Sequence, residues 1–508
     1  MIISEMQNKI AMWAEADDQR KFDRLLRLIA NRSWLLKAAQ VTLASSGAKT
    51  AGIDGVDKAM MESHLEQQLE QIRLQLLAGD YKPSPARRIY IPKANGKQRP
   101  LGIPTLTDRI VQRAMLMAME PIWESDFHRL SYGFRPERSV HHAIRTVTLQ
   151  LQDNVHTSGR WVIEGDLASY FDTVHHKLLL KCVRKRICDQ RFITLLWLFI
   201  KAGHVDQGLF CASSEGVPQG GVLSPLLSNI MLNEFDQWLE ANYLGDKARK
   251  ERWYWNQTIR QQRPIASQEN RQWQPAISYC RYADDFVVIV KGNKAQAEAI
   301  REACRTFLEE ELKLTMNMDK THVTHVNDGF TFLGHRIIRK RGPLGNRRVV
   351  TTIPKDKFKN FAAKLVKELS GNYSVNKIDL IVSLNRKLAG WANFYQFTNY
   401  TAVMFGKLDH ILFWKLGHWL ARKYQTSIKS LMKQWFRRPE KGKAKTWLLF
   451  GRNNRGNLTG AALRRLVTSR KCQFRWRNPE TNPYIIRDEE RSTVTSRYRD
   501  VAMALSHS

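Results

Sequence analysis

Apolar residues recur at helical spacing through the first 85 positions. "FDRLLRLIANRSWLLKAA" carries one stripe, and Met61, Leu65, Leu69, Ile72 and Leu76 carry a second. The pattern predicts an N-terminal helical segment, residues 1–85, broken by the Gly-rich loop "SSGAKTAGIDG". From Arg87 the period changes. "RRIYIPKANGKQRPLGIP" reads as two short strands around an "ANGK" turn, with Lys and Arg gathered at the turn. Mixed helix and strand continue to about residue 340, interrupted at 241–275 by a polar, basic and aromatic stretch expected to be a surface insertion. Beyond Thr352 helical spacing returns, with Ile378, Ile381, Leu384, Leu388 and Trp391 on one face. There is no internal repeat, and disorder is expected from about Asp488 onward.

A chain of 508 residues supports several domains, and 43% hydrophobic residues is ordinary for a globular protein. No run approaches 18 uncharged apolar residues, so a membrane span is not expected. The N-terminus lacks a basic start followed by an apolar block, which makes the cytoplasm the default location. Six scattered cysteines without a C-x-x-C pair support neither a disulfide framework nor a structural zinc site. Charge changes the picture most. From Arg336 to Ser508 there are 37 Lys and Arg against 10 Asp and Glu, a net of +27, while residues 1–335 hold 44 and 38, a net of +6. So one-sided a region calls for a polyanion, with nucleic acid as the leading partner and an anionic membrane surface as the rival.

Candidate chemistry lies in the less basic part. In "YCRYADDFVVIV", Asp284 and Asp285 stand at the head of an apolar strand, and in "WVIEGDLASYFDTVHH" Asp166 ends another. If the two strands pair, Asp166 and Asp284 converge across 118 residues. Three close carboxylates repel and need protons or cations to coexist. Mg²⁺ suits such oxygen ligands, and two ions about 3.5–4 Å apart would activate a hydroxyl and stabilise a leaving oxygen. Two unrelated turns carrying solvated aspartates would satisfy the same spacing.

In chain order the sequence carries "TAGIDG", "RRIYIPKANGKQRPLGIPTLTDRIVQ", "YGFRPERS", "GDLASYFDTVHH", "GVPQGGVLSPLLSNI", "YADD", "FLGH" and "LAGWANFY". With these it resembles the group II intron-encoded reverse transcriptases and maturases across nearly its whole length. The resemblance implies metal ligation by Asp166 and Asp284, supported by Asp285 and the Leu167 carbonyl, with two Mg²⁺ ions or Mn²⁺ in their place. It implies that Phe171 excludes a 2′-hydroxyl from the incoming nucleotide, and that Gln219, Pro218 and Gly220 lie under the nascent base pair. Lys93 and Arg99 would grip the triphosphate, and Lys320 would protonate the leaving pyrophosphate or act as a counter-charge. Arg109, Gln112 and Arg135 would touch the template, and Gly334 belongs to the template–primer set.

The implied fold is α+β, a right-hand polymerase with fingers, an antiparallel palm sheet, an α-helical thumb and a small basic C-terminal DNA-binding domain. Its expected boundaries are 1–85 for the helical extension, 86–345 for fingers and palm, 346–425 for the thumb or maturase domain X, and 426–508 for the basic domain. In the thumb, Trp391, Phe394 and Tyr395 are expected mostly in the core. Many relatives continue into an endonuclease domain with paired cysteines and histidines, which is not expected here. The implied activity is RNA- and DNA-templated DNA synthesis from dNTPs on a DNA primer, with a structured intron RNA and a DNA target as partners and a homodimer left open. The implied location is the bacterial cytoplasm, at the nucleoid. Two readings stay open beside a splicing and retrohoming maturase: a domesticated enzyme of DNA repair or phage defence, and a splicing-only RNA-binding protein.

Overall fold

A computed structural model describes residues 2–92, 96, 98–152, 160–245, 248, 253–256, 261–264, 275–342, 347–467, 474–475 and 478–485. The chain divides into two compact units, the first formed by 1–143, 163–323 and 477–508, the second by 144–162 and 324–476.

The first unit is organised around the helix Leu106–Asp126, most of which is buried, polar Asp108, Gln112 and Glu124 included. Thr105 starts it by accepting from the Asp108 backbone N–H while its hydroxyl donates to the Asp108 carboxylate. The expected N-terminal helices are present as Ile3–Ala16, Leu25–Ile29, Arg32–Ala44, Lys58–Ser63 and Leu65–Ala78. Their stripes pack inward, and fully buried Trp34 donates its indole N–H to the Ala114 carbonyl at 2.9 Å.

Strands β1 (Ala86–Pro92) and β2 (Gln98–Ile103) form the antiparallel hairpin read from the sequence, in register Ile89 to Leu101 and Ile91 to Arg99. β3 (Trp161–Gly165) follows, then β4 (His204–Asp206) and β5 (Leu209–Cys211), which complete a sheet of order β2-β1-β4-β5. The inserted stretch holds a short hairpin, β6 (Trp253–Asn256) and β7 (Gln261–Pro264); most of it lies outside the described residues. β8 (Ile277–Tyr282) and β9 (Asp285–Val290) pair antiparallel, and β9 lies between β8 and β3. β9 is buried from Phe286 to Val290, as its unbroken apolar run requires. Gly165 at the end of β3 faces Phe286 so closely that an added Cβ would sit 2.2 Å from the ring. β10 (His322–His325) ends the unit.

The second unit contains the meander β11 (Phe330–Phe332), β12 (His335–Arg341) and β13 (Arg347–Thr352). The helices Lys355–Glu368, Lys377–Tyr395, Thr401–Lys423 and Ile428–Trp435 follow, then the sheet β14 (Phe436–Arg437), β15 (Thr446–Arg452) and β16 (Leu458–Ala462). One core joins them: Ile381, Leu384, Leu388, Leu412 and Leu416 from the helices meet Trp447 and Leu449 from the sheet and Leu463 just after it. Trp391 packs against Phe361 with its ring stacked, and Tyr395 is buried, as expected, whereas Phe394 stays 37% exposed.

In the basic stretch after residue 426, Trp447 and Leu449 share one core with the preceding helices. Its described end, 478–485, packs within the first unit instead. Tyr484 donates to Glu120 at 2.5 Å, its carbonyl accepts from Asn8, and Asn482 donates to Ser125. A basic composition reports surface charge and is silent on which core the interleaved aromatics enter. The segment from Asp488 lies outside the described residues. Among the described residues no helix is long and apolar enough to cross a membrane.

Candidate active site

The paired aspartates ride on the turn of the β8–β9 hairpin. Tyr282 pairs with Asp285, leaving Ala283 and Asp284 as the two turn residues, and Ala283 takes φ +57°. A non-glycine residue there is uncommon and must be held. The hold comes from Arg281, a fully buried guanidinium that donates to the Ala283 carbonyl at 3.0 Å and to Asn229 at 3.0 Å. Asp236 neutralises it through bonds of 2.8 and 2.5 Å, both side chains wholly removed from solvent, and Tyr279 donates to the same carboxylate at 2.7 Å. Gly133 passes beneath the turn, where a Cβ would lie 2.2 Å from the Ala283 nitrogen.

Asp166 follows β3 directly. Its carbonyl accepts from the Asn317 backbone N–H, and the next residue but one, Ala168, donates to Thr315, so Leu167 sits in an antiparallel bridge with Met316. In that pattern the bonds run through Asp166 and Ala168, and the Leu167 carbonyl is not consumed by the bridge. The Asp166 side chain accepts from Asn317 Nδ2 at 3.1 Å and from Lys320 Nζ at 2.7 Å. The ion pair raises the Lys320 ammonium above its usual range.

The three carboxylates feel one another. Burial raises Asp284, against the pull of its own backbone N–H, and the Asp166 charge raises it further. Asp285 is pushed up to about 6 by burial, then by Asp284 and Asp166. By surface area Asp285 is exposed, so its carboxyl stands at the lip of the site, accessible yet ringed by protein and like charge. Among the described residues, no three carboxylate, histidine or cysteine groups are gathered as a ready metal cage. The cation that Asp166 holds is Lys320.

Beside this lies the second part of the site. Phe171 is half-buried, its ring edge-on to Phe134 at 6.3 Å, and its carbonyl accepts from the Val217 backbone N–H at 2.7 Å. The loop Val217–Gly220 is tied on both sides. Gly102 N donates to the Gln219 carbonyl at 2.7 Å, and Ser224 Oγ donates to the Pro218 carbonyl at 2.7 Å. Gly220 runs at φ +106°, with a Cβ there only 2.5 Å from the Gly102 oxygen. The Gln219 amide lies between Arg99, which donates to its oxygen at 3.3 Å, and Asp172, which accepts from its nitrogen at 2.9 Å.

Several expected site residues are elsewhere or otherwise occupied. Lys93 lies outside the described residues. Arg109 spends its guanidinium on the carbonyls of Pro104, Gly47 and Thr50. Gln112 is buried and accepts from Val222 N at 2.8 Å, steadying the start of the helix Ser224–Leu239. Arg135 is buried against Glu124 at 2.9 Å and also donates to the His128 and Ser131 carbonyls. Each of these three makes bonds within the protein, Gln112 and Arg135 from buried positions and Arg109 from a half-buried one. Gly334 belongs to the second unit, at φ +75°, its carbonyl accepting from Tyr395 at 3.2 Å.

Sequence reading missed Arg281, Asp236, Asp172 and His176, which bonds through Nε2 to the Gly216 carbonyl at 2.6 Å. Arg281 was legible: a cation inside an apolar strand must find a buried partner. The others carry no local signal.

Residues 91–337 match the family model for reverse transcriptase (RNA-dependent DNA polymerase), and residues 358–438 match the group II intron, maturase-specific domain. The chain is 68% identical over 365 residues to Protein YkfC of Escherichia coli K12, covering 72% of this chain and 96% of that protein. It is 31% identical over 429 residues to the group II intron-encoded protein LtrA of Lactococcus lactis subsp. cremoris, covering 74% and 70%. An uncharacterized 91 kDa protein in the cob intron of Schizosaccharomyces pombe is 30% identical over 338 residues, covering 61% and 40%.

Proposed function

The chain belongs to the family of group II intron-encoded reverse transcriptases and maturases and is an RNA-directed DNA polymerase, and from that premise we propose that it binds a structured intron RNA, assists its splicing, and copies it into DNA during retrohoming. The first unit is read as fingers and palm, and the helices and basic strands of the second as thumb and DNA-binding part.

One observation carries the active-site reading: Asp166 holds an ammonium at 2.7 Å beside an Asp284–Asp285 pair whose carboxyls attract that ammonium but are raised by the Asp166 charge. Such a site asks for positive charge, which fits Mg²⁺. Asp166, Asp284, Asp285 and the Leu167 carbonyl would hold the metal, which when bound supplies Lewis-acid charge to the attacking primer hydroxyl and the transferred phosphate.

The protein's own residues do the remaining work. The Phe171 ring, fixed at its backbone to Val217, blocks the space a 2′-hydroxyl needs and so selects dNTPs by contact. Arg99 offers a forked donor to the triphosphate, joined by Lys93. Gln219 is oriented by Asp172 and Arg99 to meet the nucleotide, while Pro218 and Gly220 let the loop approach the nascent pair. Lys320 carries at Nζ a proton that the departing pyrophosphate can accept.

The test is primer extension on an RNA template by Asp284→Ala. Extension should be lost while the thermal transition stays within a few degrees of wild type. A well-folded variant that extends normally would overturn the assignment.

A further inference from the structure

The second unit carries a cavity of about 450 Å³ on the helix Thr401–Lys423, between that helix and the strand ends around Lys445 and Leu463. This falls within the roughly 300–1,000 Å³ of small-ligand sites. We propose that it receives one unpaired base of single-stranded RNA, stacked on Trp414, with the flanking phosphates taken by Lys445, Arg464 and Arg465.

Trp414 is 43% exposed although it sits on a helix whose opposite face is core. Its ring is not loose. Phe413 meets it edge-on at 5.3 Å, and Phe413 is itself stacked on buried Trp447 at 5.4 Å. An apolar ring mounted on the core yet open to solvent is the arrangement that base stacking uses. The cations stand at the rim. Lys445, Arg464 and Arg465 are all exposed. The Lys445 ammonium and the Arg464 guanidinium have no hydrogen bond or ion pair with any described residue, while Arg465 donates to the Lys445 carbonyl at 3.2 Å.

The acidic residue of the cavity does not oppose an anion strongly. Both Asp409 oxygens accept backbone N–H groups, from Leu466 at 2.9 Å and Val467 at 3.1 Å, and the residue is half-buried. Charge therefore favours a polyanion, as does the excess of 37 basic over 10 acidic residues from Arg336 onward. The aromatic floor favours one with unpaired bases over a duplex or an acidic peptide. RNA is the source chosen, because the same chain copies RNA; the inference rests on that reading of the chain.

The test uses the full-length chain and an unstructured 12-nucleotide RNA carrying one 2-aminopurine, followed by anisotropy and by 2-aminopurine quenching. Trp414→Leu, which keeps apolar bulk but no π face, should lose the quenching and weaken binding roughly 5- to 150-fold. Trp414→Phe should recover most of both. Lys445→Gln with Arg464→Gln should lower the slope of log affinity against log salt by about 1.4. Should Trp414→Leu fail to fold, that slope carries the test alone. Unchanged binding and quenching in Trp414→Leu, or an unchanged slope, would overturn the proposal. So would equal affinity and quenching with DNA of the same sequence, or displacement of the RNA by polyglutamate at equal charge. Wild-type primer extension on a separate primer–template is run alongside. Extension without a Trp414 effect removes this site and leaves the polymerase reading standing; a Trp414 effect without extension does the reverse.

Discussion

The hairpin that carries Asp284 depends on a buried ion pair, and cutting that pair should separate folding from catalysis. Asp236→Ala leaves the Arg281 guanidinium fully enclosed with the neutral acceptors of Asn229 and Ala283, and it removes the carboxylate to which the Tyr279 hydroxyl donates. Removing one partner of a buried pair costs about 3–5 kcal/mol, because the other charge stays buried without compensation. For a unit of this size roughly 2 °C is lost per kcal/mol, so the thermal transition should fall by about 6–10 °C. The informative variant is the double one, Asp236→Leu with Arg281→Met, which replaces both charges by apolar bulk. Such replacements are often neutral or stabilising, so most of the lost stability should return. Primer extension should not return with it, since the Ala283 carbonyl has lost the buried donor that braces the turn at φ +57°. The assay is differential scanning fluorimetry beside single-turnover extension. An unchanged transition in Asp236→Ala would refute the energetic argument. Full extension by the double variant would refute the claim that Arg281 positions the turn.

Three further outcomes are expected. Phe171→Ala should raise ribonucleotide incorporation relative to dNTP incorporation in single-nucleotide extension, and unchanged discrimination would move the gate elsewhere. Gly165→Ala forces a methyl to within 2.2 Å of the Phe286 ring; it should destabilise the protein by about 1–3 kcal/mol in chemical denaturation, and a neutral result would mean that β3 and β9 can part cheaply. Neutralising exposed Arg437, Arg438, Lys441 and Lys443 together should flatten the salt dependence of nucleic-acid binding by up to about 0.9 per lost duplex phosphate contact, and an unaltered slope would remove this stretch from the interface.

Much of the site's inventory is legible in the order of residues along the chain. The carboxylates stand out by lying next to apolar runs, because an acid at the mouth of a buried strand is costly unless something needs it. The β1–β2 hairpin and the N-terminal helices follow from periodicity, which reports the local twist of the chain. The intramolecular partners of Arg109, Gln112 and Arg135 are not encoded locally. A long polar side chain looks the same in sequence whether its donors face water or a neighbour's carbonyl; Gln112 and Arg135 are buried, while Arg109 is half-buried. Nor is it encoded locally that Trp447, in the basic stretch after residue 426, enters a core shared with the helices that precede it.

By itself, then, the sequence determined the local elements, the charge asymmetry and the residue types at the carboxylate cluster, since each depends on near neighbours along the chain. Tertiary structure alone decided which polar groups are spent on the scaffold, that Lys320 is the cation facing Asp166, and that Arg281 and Asp236 hold the turn beneath Asp284. These are pairings across 45 to 154 residues. No local periodicity encodes them; they exist only once β9 has settled between β3 and β8 and the charges must find partners away from water.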